Sequence, residues 1–268
     1  MIIKGMRVLI TGGTSGIGLA TAQTLLQRGA KIFITGRGME RLEQALKALR
    51  TSGTSVHGMT ADVATERGRQ FTLKSCLDAL GGIDILINNA GGVRAGRLEH
   101  TSEAEIDAML AVNLQAPILL TKAVLPTLRQ NPESMVVNIT SGIALVGMPF
   151  YATYAAAKAG LAHFGEALRR ELLGENIHLL TVYPGATDTP MMQSSKAGPD
   201  LGVVREPASA VAEAIADGIE TNALDVVRGG EERQRMILVN HNDPRALDQK
   251  FAALKPRLEE AVREHSAL

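Results

Sequence analysis

The sequence contains a single cysteine, Cys76, so an intrachain disulfide is excluded. Its six histidines are scattered, and neither an HExxH nor a CxxC pattern occurs, so the sequence indicates no metal site. We therefore expect Cys76 to be a small hydrophobic residue packed inside the fold.

Net charge is also absent, because 28 basic side chains balance 28 acidic ones. This balance does not favour binding to nucleic acid or to an acidic membrane surface. We expect no apolar run as long as a membrane span, and the N-terminal MIIKGMRVLIT enters a strand-like run without the regions of a signal peptide. The expected location is the cytoplasm, with no membrane partner.

The chain does contain 45% apolar residues, enough for a sizeable core. Near-continuous apolar runs are typical of strands buried in a parallel sheet. Seven such runs occur: RVLIT, KIFIT, SVHGMT, DILINNAG, MVVNIT, IHLLTVYPG and ALDVVRG.

Segments of helical period separate these runs, at residues 19–30, 39–53, 102–130, 151–174 and 206–220. Repeated β-α units with right-handed crossovers predict an α/β fold, a Rossmann-type doubly wound parallel sheet of about seven strands with helices on both faces. No linker or change of composition divides the chain, so we expect one domain over residues 1–268.

Two regions depart from this alternation. Residues 190–205 contain prolines and glycines without a period, which predicts a loop long enough to cover a site. Residues 243–268 predict a C-terminal helical extension that packs either on its own domain or on a second subunit. Its apolar stripe, interrupted by Pro256, consists of Leu247, Phe251, Leu254, Leu258 and Val262.

The first strand ends in TGGTSGIG, residues 11–18, and a helix follows directly. Glycines at 12, 16 and 18 remove the Cβ atoms that would keep a pyrophosphate from the backbone N–H groups at the helix start. Glycines also serve ordinary tight turns, but the strand–turn–helix context favours a dinucleotide site.

The end of the second strand indicates which dinucleotide is bound. An acid that holds the adenosine ribose is expected there, but the sequence has Gly36 followed by Arg37. A guanidinium binds a phosphate well, and the missing carboxylate removes the repulsion that a 2′-phosphate would meet. This favours NADP(H), while NAD(H) stays open.

Residues 153–160, TYAAAKAG, place a tyrosine and a lysine four positions apart. On a helix, Tyr154 and Lys158 are neighbours on one face. The pair alone does not distinguish an active site from two polar surface residues.

Five ordered motifs resemble those of the short-chain dehydrogenase/reductase family in its compact single-domain form. They are TGGTSGIG at 11–18, ADV at 61–63, NNAG at 88–91, Asn113 in AVNL, and Ser141 with YAAAK at 154–158 followed by PGATDT at 184–189. The resemblance covers about residues 5–230. It implies an oxidoreductase that interconverts CH–OH and C=O groups by hydride transfer with NAD(P).

The resemblance also assigns cofactor-binding residues by position. It implies that Asp62 contacts adenine, that the turn at 88–91 supports the cofactor, and that Thr189 contacts the nicotinamide carboxamide. The residues expected to bind the cofactor are Gly12, Thr14, Ser15, Gly16, Ile17, Gly18, Arg37, Asp62, Val63, Asn89, Ala90, Gly91, Tyr154, Lys158, Pro184, Gly185, Thr187 and Thr189.

The catalytic tetrad implied by the resemblance is Asn113, Ser141, Tyr154 and Lys158. Ser141 lies thirteen residues before Tyr154, as the family spacing requires. The same spacing excludes Tyr151, which we expect to be a wall of the substrate pocket or a packed ring.

The chemistry gives each of these residues a role. A phenol can deliver the proton that carbonyl reduction requires if its pKa is lowered from about 10, and we expect the charge of Lys158 to lower it. Ser141 would donate to, or orient, the substrate oxygen. The resemblance implies that Asn113 holds a water that links Lys158 to solvent, although Asn113 could instead cap or kink a helix.

Two other functions stay open: a non-catalytic nucleotide-binding regulator, which the intact tetrad argues against, and an isomerase or dehydratase, which the form of the glycine turn argues against. We expect a small carbonyl or alcohol substrate of apolar character and a homodimer rather than a tetramer. The residues that predict the apolar pocket, or merely pack the domain, are Ile143, Leu145, Met148, Pro149, Phe150, Met191 and Met192.

Overall fold

The computed structural model describes residues 1–50 and 55–268, so the end of the segment predicted as helix over 39–53 lies outside the described residues. The strands are β1 (Arg7–Ile10), β2 (Lys31–Gly36), β3 (Val56–Thr60), β4 (Ile85–Asn88), β5 (Ser134–Ile139), β6 (Ile177–Tyr183), β7 (Thr187–Asp188), β8 (Glu206–Pro207) and β9 (Asp225–Val227). The helices are α1 (Gly16–Gln27), α2 (Met39–Leu49), α3 (Glu66–Leu80), α4 (Glu103–Leu110), α5 (Ala116–Leu128), α6 (Ala152–Glu171), α7 (Ala208–Glu220), α8 (Gly230–Asn242) and α9 (Pro244–Val262).

Seven of the strands form one parallel sheet in the order β3-β2-β1-β4-β5-β6-β9. The chain order reverses between β1 and β4, and such a switch point opens a crevice outside the carboxyl ends of the strands. The doubly wound, Rossmann-type fold predicted from the alternating pattern is confirmed.

Helices cover both faces of this sheet. Leu25 of α1, Leu42 of α2 and Ile215 of α7 belong to one buried cluster, while Cys76 of α3 and Leu120 of α5 belong to the cluster on the opposite face. Cys76 is fully buried, as expected for a packed hydrophobic residue. Burial raises the pKa of its thiol to about 12.

Helix α3, with the sequence ERGRQFTLKSCLDAL, is absent from the prediction, although Leu73, Cys76, Leu77 and Leu80 stand at helical spacing. Only Thr72 and Cys76 are buried on it. Its ends are nevertheless well defined, since the Thr65 hydroxyl accepts a hydrogen bond from Gly68 N at 3.0 Å and Gly81 ends the helix in a left-handed conformation.

The helix predicted over 102–130 is interrupted by a π turn at Ala111–Gln115, between α4 and α5. Asn113 lies in this turn, and its amide donates to Met109 O at 2.9 Å and to Gly92 O at 2.7 Å. A side chain that bonds the backbone inside a helix is a common cause of such a kink.

The expectation that no apolar run reaches the length of a membrane span is wrong for Glu103–Leu128. By length and composition this stretch is apolar enough to cross a membrane, since an 18-residue window within it has a mean hydropathy of 1.5. Its buried apolar residues, including Leu120, Val124 and Leu128, pack against the sheet, as in a core helix.

The C-terminal extension packs on its own domain, which is the first of the two alternatives. Leu247, Leu258 and Val262 of α9 are buried. Beyond α9, His265 O accepts a hydrogen bond from Ala95 N at 2.9 Å, and Ala267 N donates to Val93 O at 2.8 Å. The end of the chain is therefore tied to the segment that follows β4.

Candidate active site

A cavity of about 780 Å³ opens where β1, β4, β5 and β6 end. The glycine turn bounds one side, and the segments after β5 and β6 bound the other. All predicted site residues line it except Gly18 and Asn113, which lie behind its wall. The structure thus brings together residues that are far apart in the sequence.

The glycine turn leaves room for a pyrophosphate next to the backbone. Gly12 and Gly16 have positive φ angles of 65° and 53°. A Cβ on Gly18 would lie 2.4 Å from both Gly12 O and Asn89 Nδ2. Because Asn89 Nδ2 donates to Thr11 O and Gly12 O at 3.0 Å each, it fixes the turn from behind.

The end of β2 leaves little room for a side chain. A Cβ on Gly36 would lie 2.5 Å from the hydroxyl of Thr14, so a carboxylate side chain at this position would require Thr14 to move. Arg37 lines the cavity here, and so does Arg41 from the first turn of α2. Among the residues that the structure describes, neither arginine forms an ion pair. Arg41 is missing from the sequence prediction, although the turn of helix after the strand end could have indicated it.

Ser141, Tyr154 and Lys158 form one group on the cavity wall. Ser141 lies two residues after the end of β5 at Ile139, and its hydroxyl is near enough to the phenol of Tyr154 to stabilise the ionised form by hydrogen bonding. Lys158 is buried one helical turn further along α6, with Nζ 5.8 Å from the centroid of the Tyr154 ring. This ammonium donates to Ile139 O at 2.9 Å.

The predicted lowering of the phenol pKa is wrong for the protein chain by itself. Burial raises the pKa of Tyr154 to about 12, and the hydrogen bond with Ser141 opposes this rise only in part. Burial also lowers the pKa of Lys158 to about 8. Removal from water disfavours both charged forms, so Tyr154 keeps its proton at neutral pH.

Asn113 is fully buried and its contacts are with the backbone. Besides the two carbonyls that its amide nitrogen reaches, its Oδ1 accepts from Gly92 N at 3.3 Å. This arrangement supports the alternative in which Asn113 kinks the helix, while the water relay stays a prediction.

The substrate side of the cavity is largely apolar. Ile143, Met148, Met191 and Met192 line it, as predicted, whereas Leu145, Pro149 and Phe150 do not. The C-terminal extension adds a wall that the sequence did not predict, with Phe251, Leu254, Leu258, His265 and Leu268.

Tyr151 is both a wall of the cavity and a packed ring, the two alternatives expected for it. Its buried ring lines the cavity and makes edge contacts with Tyr154 and His265, at centroid distances of 6.5 Å and 6.0 Å. His265 Nδ1 lies 3.0 Å from Ser194 Oγ, which links the end of the chain to the loop over 190–205. Lys196 N of this loop donates to Ala261 O of α9 at 2.9 Å. The predicted cover of the site is thus anchored to the C-terminal helix.

A family model described as short chain dehydrogenase matches residues 6–200. The chain belongs to the short-chain dehydrogenase family. It is an oxidoreductase that acts on CH–OH and C=O groups of small molecules, as other members do. The match ends before α8 and α9, which therefore lie outside the part that the family model covers.

Named relatives and solved structures agree with this membership. A 3-oxoacyl-[acyl-carrier-protein] reductase of Vibrio cholerae is 34% identical over 72% of this chain and 78% of its own length. A short-chain dehydrogenase of Burkholderia cenocepacia in complex with NADP is 30% identical, with a TM-score of 0.79 over 86% of this chain and 98% of its own. An actinorhodin polyketide ketoreductase with NADPH is 28% identical, with a TM-score of 0.77 over 84% and 96%.

Proposed function

We propose that this short-chain dehydrogenase interconverts a carbonyl and an alcohol with NADP(H) preferred over NAD(H), and that Tyr154 is its acid/base. The observation that carries the proposal is the placement of Ser141, Tyr154 and Lys158 on the wall of the same cavity that the glycine turn bounds. A regulator without chemistry, or an isomerase, would not consume NADPH in proportion to a carbonyl substrate.

The residues present fit a dinucleotide, because the turn around Gly18 has no space for side chains and the cavity extends from it to Tyr154. NADP(H), when bound, supplies or accepts the hydride. The turn at 11–18 would hold the pyrophosphate, Asp62 and Val63 the adenine, and Thr189 with Pro184, Gly185 and Thr187 the nicotinamide end. The NADP and NADPH complexes of the two related structures support this choice.

Arg37 and Arg41 would hold the 2′-phosphate. Both line the cavity at the end of β2, where Gly36, packed against Thr14, replaces the acid that would otherwise hold the ribose hydroxyls. A guanidinium pairs well with a phosphate, which carries charge and several acceptor oxygens.

In the direction of reduction, Tyr154 donates its proton to the substrate oxygen while Ser141 hydrogen-bonds the same oxygen. The raised pKa suits this role, since the phenol is protonated across the neutral range. In the direction of oxidation the phenol must first lose its proton, so the rate is expected to rise with pH.

Steady-state kinetics with both cofactors and a panel of carbonyl compounds test this function. We expect kcat/KM to be higher with NADPH than with NADH, and Arg37→Ala and Arg41→Ala each to lower only the NADPH value, by about tenfold to a hundredfold. Arg245→Ala, an exposed arginine on α9, is the matched control. Equal or better efficiency with NADH in the wild type contradicts the cofactor assignment.

We also propose that the protein is a cytoplasmic homodimer and that residues 1–268 fold as one domain. The resemblance to compact family members supports pairing through α5 and α6. Their outer faces carry exposed small residues, such as Ala123 and Ala167.

A further inference from the structure

Arg233 of α8 lies at the substrate side of the cavity, next to the residue that follows Ser141. A Cβ on Gly142 would lie 2.8 Å from Arg233 Cζ, so the guanidinium rests directly against the Gly142 backbone. Within the described part of the chain its one hydrogen bond is long, from Nη1 to Gly142 O at 3.4 Å. The side chain lines the cavity together with Met236 from the next turn of the same helix.

This guanidinium lacks a carboxylate partner among the residues that the structure describes. Neighbouring arginines do have one: Arg228 pairs with Glu206 at 2.6 Å and Arg235 with Glu231 at 3.8 Å. Glu232 also lines the cavity, but it is exposed and lies 3.7 Å from Lys250, with which it pairs.

The surroundings of Arg233 make its charge energetically unfavourable as long as no carboxylate pairs with it. The side chain is half-buried, and desolvation lowers its pKa, which the charge of Glu232 opposes only in part. A charged group that is removed from water is destabilising unless a counter-charge or good hydrogen bonds replace the lost hydration. An anion that enters the cavity would supply both.

The nearby walls limit what this anion can be. Ile143, Met148, Phe251 and Leu254 are apolar, so the rest of a ligand in this part of the cavity must be apolar as well. Lys250, which could serve as a second cation, is engaged by Glu232. One guanidinium matches the single charge of one carboxylate through two parallel hydrogen bonds, whereas it leaves part of the roughly double charge of a phosphate monoester without a partner.

We propose that Arg233 binds a carboxylate of the substrate, which makes the substrate a short oxo acid, or the matching hydroxy acid, whose carboxylate lies a few bonds from the reacting carbon. The carboxylate must lie close to the reacting carbon because Arg233 rests against Gly142, the residue next to Ser141. This inference rests on the proposed function, because it assigns the substrate class of that same site. Arg233 acts here as a specificity-determining residue.

Matched substrates and matched variants test the inference. Oxo acids such as 3-oxobutanoate and 4-oxopentanoate are compared with their methyl esters, which keep the carbonyl and remove the charge. We expect the wild type to reduce an acid with a kcat/KM about tenfold or more above that of its ester. Arg233→Met should abolish this preference by raising the KM for the acid, while the ester is reduced as before. Arg233→Lys should keep part of the preference, and Arg235→Met should behave as the wild type.

A second measurement separates failure of the inference from failure of the proposed function. NADPH binding, followed by its fluorescence, and reduction of the esters report on the fold and on the reductase activity. Esters reduced as well as acids by the wild type, or an acid preference that survives in Arg233→Met, would overturn the inference and leave the reductase intact.

If no carbonyl compound consumes NADPH, the proposed function fails, and carboxylate binding is tested alone. Calorimetry of the NADPH-loaded protein with pentanoate, pentanamide and pentyl phosphate then decides. Pentanoate binding that is lost in Arg233→Met supports the carboxylate site. No pentanoate binding, equal binding of pentanamide, or a stronger response to pentyl phosphate overturns it.

Discussion

Two side chains at the centre of the site are held where burial disfavours their charged forms. Lys158 is 4% exposed, and its ammonium bonds a single backbone carbonyl. Its pKa falls to about 8 while that of Tyr154 rises to about 12. The chain therefore has a protonated phenol at neutral pH and a lysine that loses its charge at mildly alkaline pH, which is compatible with the proton donation that we propose for Tyr154.

This arrangement predicts how stability depends on pH. Lys158 loses its proton near pH 8 in the folded chain but near 10.4 when unfolded, so the unfolded chain binds more protons between these values. The free energy of unfolding of the wild type, minus that of Lys158→Met, should therefore rise through this window, by up to about 3 kcal/mol. Urea unfolding from pH 7 to pH 10 measures it.

Lys74→Met is the matched control for this measurement, because Lys74 is exposed and pairs with Asp78 on the surface of α3. A difference between wild type and Lys158→Met that stays flat with pH would show that the Lys158 ammonium is not desolvated as the structure indicates.

Some residues of the site could be predicted from the sequence and others could not. The positions of Gly12, Arg37 and Ser141 follow from motifs close to the carboxyl ends of strands, and that of Tyr154 on α6 follows from its spacing to Ser141. Arg233 could not be predicted in this way. Its position near Ser141 depends on how the chain folds back after β9, and no motif indicates that path. The pKa of Tyr154 was likewise beyond the sequence, since it depends on how completely the ring is enclosed.

Among the elements, most of those with an apolar pattern were predicted, although α3 was missed despite its helical spacing. The seven sheet strands are recognised as near-continuous apolar runs, and α1, α5, α6 and α7 carry apolar residues at helical spacing. Helix α8 has no buried residue, and the π turn at Ala111–Gln115 depends on the contacts of Asn113 with a distant loop. Neither α8 nor the π turn therefore has a sequence pattern of its own from which it could be predicted.

The C-terminal extension gives a prediction at the scale of elements. Ending the chain after Val262 removes the hydrogen bonds to Val93 and Ala95 and the cavity wall formed by Leu268. We expect the KM for a carbonyl substrate to rise severalfold, with NADPH affinity unchanged, because these residues lie on the substrate side. Steady-state kinetics and fluorescence titration measure the two quantities.

Ala267→Pro is the companion variant, since it removes the N–H that donates to Val93 O without shortening the chain. It should change the KM in the same direction but less. Unchanged KM in the shortened chain, or loss of NADPH binding, would show that the extension does not form a substrate wall.

For the whole molecule, the proposed homodimer predicts a definite mass in solution. Sedimentation should give twice the chain mass of 28.4 kDa. Ala167→Arg, on the exposed side of α6, should shift the protein toward the monomer, because a long charged side chain cannot be buried in a close interface of helices. A wild type that sediments as a monomer excludes this assembly.

The central claim concerns the whole catalytic arrangement: a protonated Tyr154, held by Ser141 beside Lys158, delivers a proton to a carbonyl oxygen at the end of the dinucleotide cavity. Tyr154→Phe removes one hydroxyl and keeps the ring that packs against Tyr151. The most direct measurement is NADPH consumption by this variant with a carbonyl compound that the wild type reduces, together with a fluorescence titration of NADPH. We predict turnover lower by at least about a hundredfold with NADPH affinity unchanged. Turnover close to that of the wild type would contradict the account.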